Sequence, residues 1–165
     1  MSADYKGLVA FRGMIQSLIN DMPAIMDQLA VGEGTFAVQQ AVNICQEKKV
    51  DNTSFYKEGF KAAKHATKSG TRYRVPFYNN VAYAKHIEYG FRSHFVPGHW
   101  EGNTFVYNKK DPEGGMYVGP KGGYVPGKFV FRTALQRVED TKDARLKRKL
   151  DDILEKYMNA HLKGG

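Results

Sequence analysis

The chain holds one cysteine, Cys45, so it can form no intramolecular disulfide and no multi-cysteine metal site. Its neighbours Val42 and Ile44 continue a helical pattern, and the thiol reads as buried. Apolar runs are short as well. None approaches the roughly 18 residues that a membrane span needs, and no basic patch followed by an apolar stretch opens the chain. The expectation is a soluble protein made in the cytoplasm, with no cleaved signal and no membrane contact. Catalytic fingerprints are also missing: there is no G-x-S-x-G, P-loop or dinucleotide-binding sequence. The run Gly119-Pro120-Lys121-Gly122-Gly123 lacks the strand-loop-helix setting that phosphate binding requires. The chain therefore reads as a non-enzyme with no cofactor and no metal.

Negative charge is in deficit. There are 17 acidic against 25 basic residues, a net charge of +8. Residues 1–50 carry 4 Lys and Arg against 5 Asp and Glu, residues 51–140 carry 14 against 8, and residues 141–165 carry 7 against 4. A basic excess fits an acidic partner, either nucleic acid or an acidic protein surface. No helix-turn-helix, zinc-finger or RNP-like pattern accompanies it, which argues against sequence-specific recognition of nucleic acid.

The most informative stretch runs from Tyr73 to Arg92, YRVPFYNNVAYAKHIEYGFR. Tyr73, Val75 and Phe77 alternate with Arg74, Pro76 and Tyr78, the period of a half-buried strand. Asn79-Asn80 suits a turn. Val81, Ala84 and Ile87/Glu88 then recur at helical spacing, with Tyr83 and Tyr89 beside them, and predict a helix of about two turns that stops at Gly90. Glu88 is placed to pair with Arg92 at i+4, or with a basic side chain from the sheet or a second protomer.

The run YNNVAYAKHIEYGFR resembles the Asn…(Val/Glu)-x-Tyr-Ala-x-x-x-Glu-x-Gly stretch of the tail-component family of tailed bacteriophages, small proteins of the head-tail neck. A preceding Asp51-x-Thr53, the segment Gly127 to Phe129 and a charged C-terminal helix follow in the family's order, so the resemblance runs from about Asp51 to the C-terminus. The long insert between Arg92 and Gly127 and the N-terminal helical segment depart from it. The resemblance implies that Tyr78, Asn79, Tyr83, Ala84, Ile87, Glu88, Tyr89, Gly90 and Phe129 are motif and core residues. It also implies a structural virion protein of the phage neck, completing tails and joining them to heads as a homo-oligomeric ring among connector and tail proteins, with passing contact with DNA. A tail terminator, a non-specific DNA-binding protein and a metal-dependent nuclease are the alternatives.

Residues 5 to 20 space Leu8, Phe11, Ile15, Leu18 and Ile19 as an amphipathic helix ending near Asn20. Asp21 and Pro23 read as the cap and first turn of a second helix carrying Ile25, Met26 and Leu29. Gly32-Glu33-Gly34 reads as its break, and Thr35 as the cap of a third helix with Phe36 or Val38, Ala41, Val42 and Cys45 inside. These helices either complete the core or dock a neighbouring subunit. Between Phe60 and Thr67 helix propensity competes with alternation; the resemblance implies a hairpin turning at Lys68 to Thr71.

The insert beyond Arg92 is bracketed by two Val-Pro-Gly triplets, Val96 to Gly98 and Val125 to Gly127. Asn103 to Asn108 alternates as a strand, and Met116 to Val118 reads as its return. Aromatic residues on a glycine-rich excursion cannot bury themselves alone. Trp100, Phe105, Tyr107, Tyr117 and Tyr124, with Arg92, are therefore the candidate interface of a protruding arm, unless they fold back as a lid. His94, His99 and Glu101, with His86 and Glu88, are the nearest approach to a metal set, but spacings of five and two across a Pro-Gly turn match no common ligand pattern and free polar histidines account for them better. The C-terminal region reads as two amphipathic stretches, Phe129 to Val138 and Leu146 to Met158, interrupted near Asp140-Thr141. Its basic run Lys142 to Lys149 is a solvated face or a surface lining DNA.

The sum is a single α+β domain, with a small antiparallel sheet packed by helices, an N-terminal helical segment (1–50), a hairpin and short helix (51–92), a β-hairpin arm (93–127) and a long C-terminal helix (128–165).

Overall fold

The computed structural model describes residues 5–50, 54–111 and 114–162; Asp51 and Thr53 lie outside them. Two long helices dominate, α1 (Tyr5–Glu47) and α4 (Val130–Leu162). At a rise of about 1.5 Å per residue they run roughly 64 and 50 Å. They lie antiparallel, and four polar rungs fix their register. Ser17 faces His161 at 3.4 Å, the Tyr157 hydroxyl donates to Asp21 at 2.6 Å, Arg145 pairs with Glu33, and Arg137 donates to both oxygens of Glu47 at 2.9 and 2.6 Å.

The continuity of α1 corrects the three-helix reading. Pro23 sits inside the helix, and its surface is exposed, so the hydrogen bond lost at the Ile19 carbonyl faces water. Asp21 is no cap, because its carboxylate is engaged by α4. Thr35 is no cap either: its hydroxyl donates back to the Val31 carbonyl at 3.0 Å. Gly32 and Gly34 are points of close approach instead of breaks. A Cβ at Gly34 would lie 2.7 Å from Val75 Cγ1, and one at Gly32 would lie 2.7 Å from Lys149 Nζ. Glu33 between them meets Arg145 and Lys149. Tertiary contact with α4 and the strands on either side of these positions outweighs the local breakers. Pro23→Ala is expected to raise stability by about 2 kcal/mol: it recovers roughly 3 kcal/mol of helix disruption and returns about 0.4–1 to the freer unfolded chain. The denaturant midpoint measures this.

The predicted interruption of the C-terminal helix near Asp140-Thr141 is likewise absent. Asp140 accepts from Gln136 at 2.8 Å, and Thr141 donates to the Arg137 carbonyl at 2.7 Å, so both polar side chains are satisfied by their own helix.

At its C-terminal end α1 closes with Lys49 at φ 50° and the Val50 N–H bonded to the Cys45 carbonyl at 3.0 Å, the six-to-one pairing of a Schellman cap. The short helix α2 (Phe55–Glu58) follows, then strands β1 (Phe60–Ala62), β2 (Thr67–Ser69), β3 (Arg72–Arg74) and β4 (Phe77–Asn79), helix α3 (Ala84–Tyr89), and strands β5 (Gly90–Arg92), β6 (His94–Glu101), β7 (Thr104–Tyr107), β8 (Gly115–Val118) and β9 (Tyr124–Pro126). All pairings are antiparallel. Among the described residues they make four small sheets, β1-β4, β2-β3, β5-β9 and β7-β6-β8, where one was expected; the later strands build their own sheets and do not extend β4. The hairpin at Lys68 to Thr71 is present as β2-β3. Tyr73, Val75 and Phe77 lie on the inner face, with Arg74, Pro76 and Tyr78 outside, as the alternation predicts.

The core sits where α1 ends and α4 begins. Ala41, Ile44 and Cys45 of α1 meet Tyr56, Phe60, Val130 and Ala134, all buried. Phe60 stacks on Phe77 at 5.8 Å, and Phe131 closes the stack at 4.5 Å from Phe77. The far half of the helix pair carries no sheet. There Leu8, Val9, Phe11 and Ile19 of α1 and Leu150, Leu154 and Met158 of α4 remain exposed. No helix among the described residues is long and apolar enough to cross a membrane.

Candidate assembly interface

Asn79 ends β4 and organises the turn: its side chain donates to the Tyr56 carbonyl at 2.8 Å and accepts from the Val81 N–H at 3.0 Å. The chain then enters α3, whose Ala84 and Ile87 pack on the core. Gly90 stops the helix at φ 81°, and a Cβ there would lie 2.3 Å from the Val125 carbonyl oxygen. A side chain is excluded by both conformation and space. Gly127 meets the same end of α3 from the other strand: a Cβ would lie 2.3 Å from the Glu88 carbonyl oxygen. Lys128 and Phe129 donate their N–H groups to the Ile87 and Glu88 carbonyls at 2.7 and 3.1 Å. The two separated motif segments therefore form one joint.

Glu88 locks this joint. Its side chain is 5% exposed, and its carboxylate accepts the Phe131 and Arg132 N–H groups at 2.8 and 3.0 Å. Those are first-turn donors of α4 with no partner inside the helix, and a carboxylate there also meets the positive end of the helix dipole. The expected pairing of Glu88 with Arg92 is thus corrected: the carboxylate caps a helix that begins 42 residues later in sequence, and Arg92 lies exposed on β5. No sequence signal marks this, because backbone amides carry no residue identity.

The other motif residues divide. Asn79, Ala84 and Ile87 are half-buried, whereas Tyr78, Tyr83, Tyr89 and Phe129 are exposed and are not core, a second correction. The six residues of α3 are too few to cover them. Phe129, at φ 49°, stands outside the core cluster and is 40% exposed. With Tyr78, Tyr89 and Leu135 it lines an open, mainly apolar groove of about 650 Å³ between α3 and the start of α4, edged by Lys85 and Arg132.

The arm grows from this joint. β5 and β9 form its two-stranded base, and the Tyr124 hydroxyl donates to the Tyr89 carbonyl. Beyond, β6 is flanked by β7 and β8, and these strands make their substantial contacts with one another. The return strand β8 pairs with β6 and not with β7. Trp100 and Phe105 face each other across the β6-β7 turn at 5.3 Å, Phe95 and Tyr117 do so at 5.5 Å, and Tyr107 follows Phe105 on the same face. Trp100 is 57% and Tyr107 64% exposed, and Tyr117 and Tyr124 are also exposed; Phe105 is half-buried under its neighbour.

The candidate metal set does not assemble. His94 lies beside the Arg92 carbonyl, His99 sits between Glu101 and Asp111 at 3.2 and 3.5 Å, and Glu88 is engaged with α4. Among the described residues no group of three His, Cys, Asp or Glu side chains is arranged to hold a metal ion. No family model, no curated protein and no solved structure matches this chain.

Proposed function

We propose that this chain is a structural protein of a tailed-phage neck, completing the tail and joining it to the head as a ring of identical copies. The observation that carries the reading is the arm, a three-stranded sheet that holds a file of aromatic side chains in solvent, away from the core. Rings of this size are costly to leave hydrated, and exposed apolar patches of this kind mark surfaces that become covered. The bare helix ends add two more, at Leu8 to Ile19 and at Leu150 to Met158. The motif residues serve this reading by building a rigid joint from which arm and helices diverge. A closed ring requires each copy to present two different faces to its neighbours, and arm and body supply them.

Deleting Asn103 to Val118 is expected to leave a folded protein, by circular dichroism and a cooperative melt, that no longer joins tails to heads when particles are counted by electron microscopy. Normal joining by the deletion variant, or collapse of its fold, would contradict the proposal.

A further inference from the structure

We propose that the groove beside α3 is the receptor for the arm tip of a second copy of this chain, an inference that rests on the ring reading and names its contact. Three observations select this occupant. The first is shape: Trp100, Phe105 and Tyr107 share one face of the β6-β7 hairpin and form a narrow aromatic wedge. A groove of about 650 Å³ falls within the roughly 300–1,000 Å³ range that encloses groups of this size.

The second is charge. Lys85 and Arg132 line the groove with one carboxylate, Glu88, which is turned onto the α4 amides; two cations against one anion leave the lining net basic. The distal hairpin from Gly98 to Tyr107 carries a single full charge, Glu101, whose side chain is 67% exposed. Of the two other exposed apolar features, the N-terminal part of α1 carries Arg12, which the rim repels, whereas Leu150 to Met158 of α4 lie among Asp151, Asp152 and Glu155 and are not repelled. Opposed charges favour the arm over the α1 end; against the α4 face, shape and reach make the choice.

The third is reach. Six strand steps from His94 to Trp100 span about 20 Å, while Tyr89 of the groove adjoins the root of the arm. An extended arm therefore carries its tip past its own groove. Each copy that inserts its arm into a neighbour leaves its own groove open to the next, a heterologous contact that propagates until a ring closes.

The test is sedimentation velocity on the full-length protein with two variants, Trp100→Ala in the arm and Leu135→Asp in the groove, each checked for folding by circular dichroism. Each alone is expected to weaken self-association by about tenfold or more, as loss of a central aromatic or apolar anchor does. Mixed, they are expected to give one-to-one dimers and nothing larger, because one partner supplies the only intact arm and the other the only intact groove. Should Leu135→Asp fail to fold, Lys85→Glu with Arg132→Glu replaces it, and adding Glu101→Lys to that background should restore assembly. If wild type and variants assemble alike, the docking site is wrong while the ring reading stands. If the wild-type protein stays monomeric both alone and on tails, both are wrong.

Discussion

Glu88→Ala is expected to destabilise the protein by about 3 kcal/mol. The carboxylate makes two charge-assisted hydrogen bonds in a buried setting, each worth roughly 1.5–3 kcal/mol net, and its removal strands the Phe131 and Arg132 amides away from water. Relaxation of the α4 end and water entry hold the sum near the lower bound. Glu88→Gln keeps one acceptor and the side-chain volume, and should cost about 1 kcal/mol. For a chain of this length the alanine variant should melt about 6–12 °C lower. Calorimetry decides it. An unchanged melting temperature would mean that the joint between α3 and α4 is held by packing alone.

Arg145→Ala should cost about 3 kcal/mol as well, for a different reason. Arg145 is 9% and Glu33 18% exposed, midway along the helix pair. The guanidinium also lies 3.8 Å from the Phe36 ring centroid and bonds the Thr141 hydroxyl. Breaking such a pair leaves an uncompensated charge, a loss of roughly 3–5 kcal/mol in full burial and less where water reaches Glu33. The nearby Lys149, 3.6 Å from Glu33, softens it further. Replacing both partners, Glu33→Met with Arg145→Met, should recover at least half the loss, because no charge is then stranded.

The same pair sets an acid limb. Burial pushes the Glu33 carboxyl up, but hydrogen bonds and charge from Arg145, aided by Lys149, outweigh it and leave the group below its usual value of 4.5. A depressed carboxyl contributes stability that is fully present above the unfolded value and is lost as pH falls through the folded one. Wild type should therefore lose stability below about pH 4.5, and Arg145→Ala should show a shallower loss over the same interval. Denaturation midpoints collected from pH 6 to pH 3 measure the difference.

Local features were legible and long-range ones were not. The alternation from Tyr73 to Tyr78 fixes which side chains face inward, and Gly90 ends its helix at a positive φ as its position suggests. Both depend on neighbours in sequence. The two Val-Pro-Gly triplets and the aromatic spacing disclose an arm, yet not that β8 pairs with β6, since either edge accepts a strand of that composition. Pro23, Gly32 and Gly34 misled for a physical reason. Their meaning as breakers holds for an isolated helix, whereas α4 runs beside all three positions, and glycine is useful where Lys149 of α4 and Val75 between β3 and β4 press close. Of the residues proposed for the interface, the arm aromatics announced themselves by composition. The groove did not, because it is assembled from Tyr78, Tyr89, Phe129 and Leu135, which meet only after the α3-α4 joint forms.

The central claim is that this molecule acts by being covered by copies of itself and by particle proteins. Electron microscopy of the purified protein mixed with tails made without it tests that claim directly. Rings seated at one tail end, and recovery of joined particles when heads are added, are the expected result. Tails that stay bare, with heads and tails that join equally well in its absence, would contradict it.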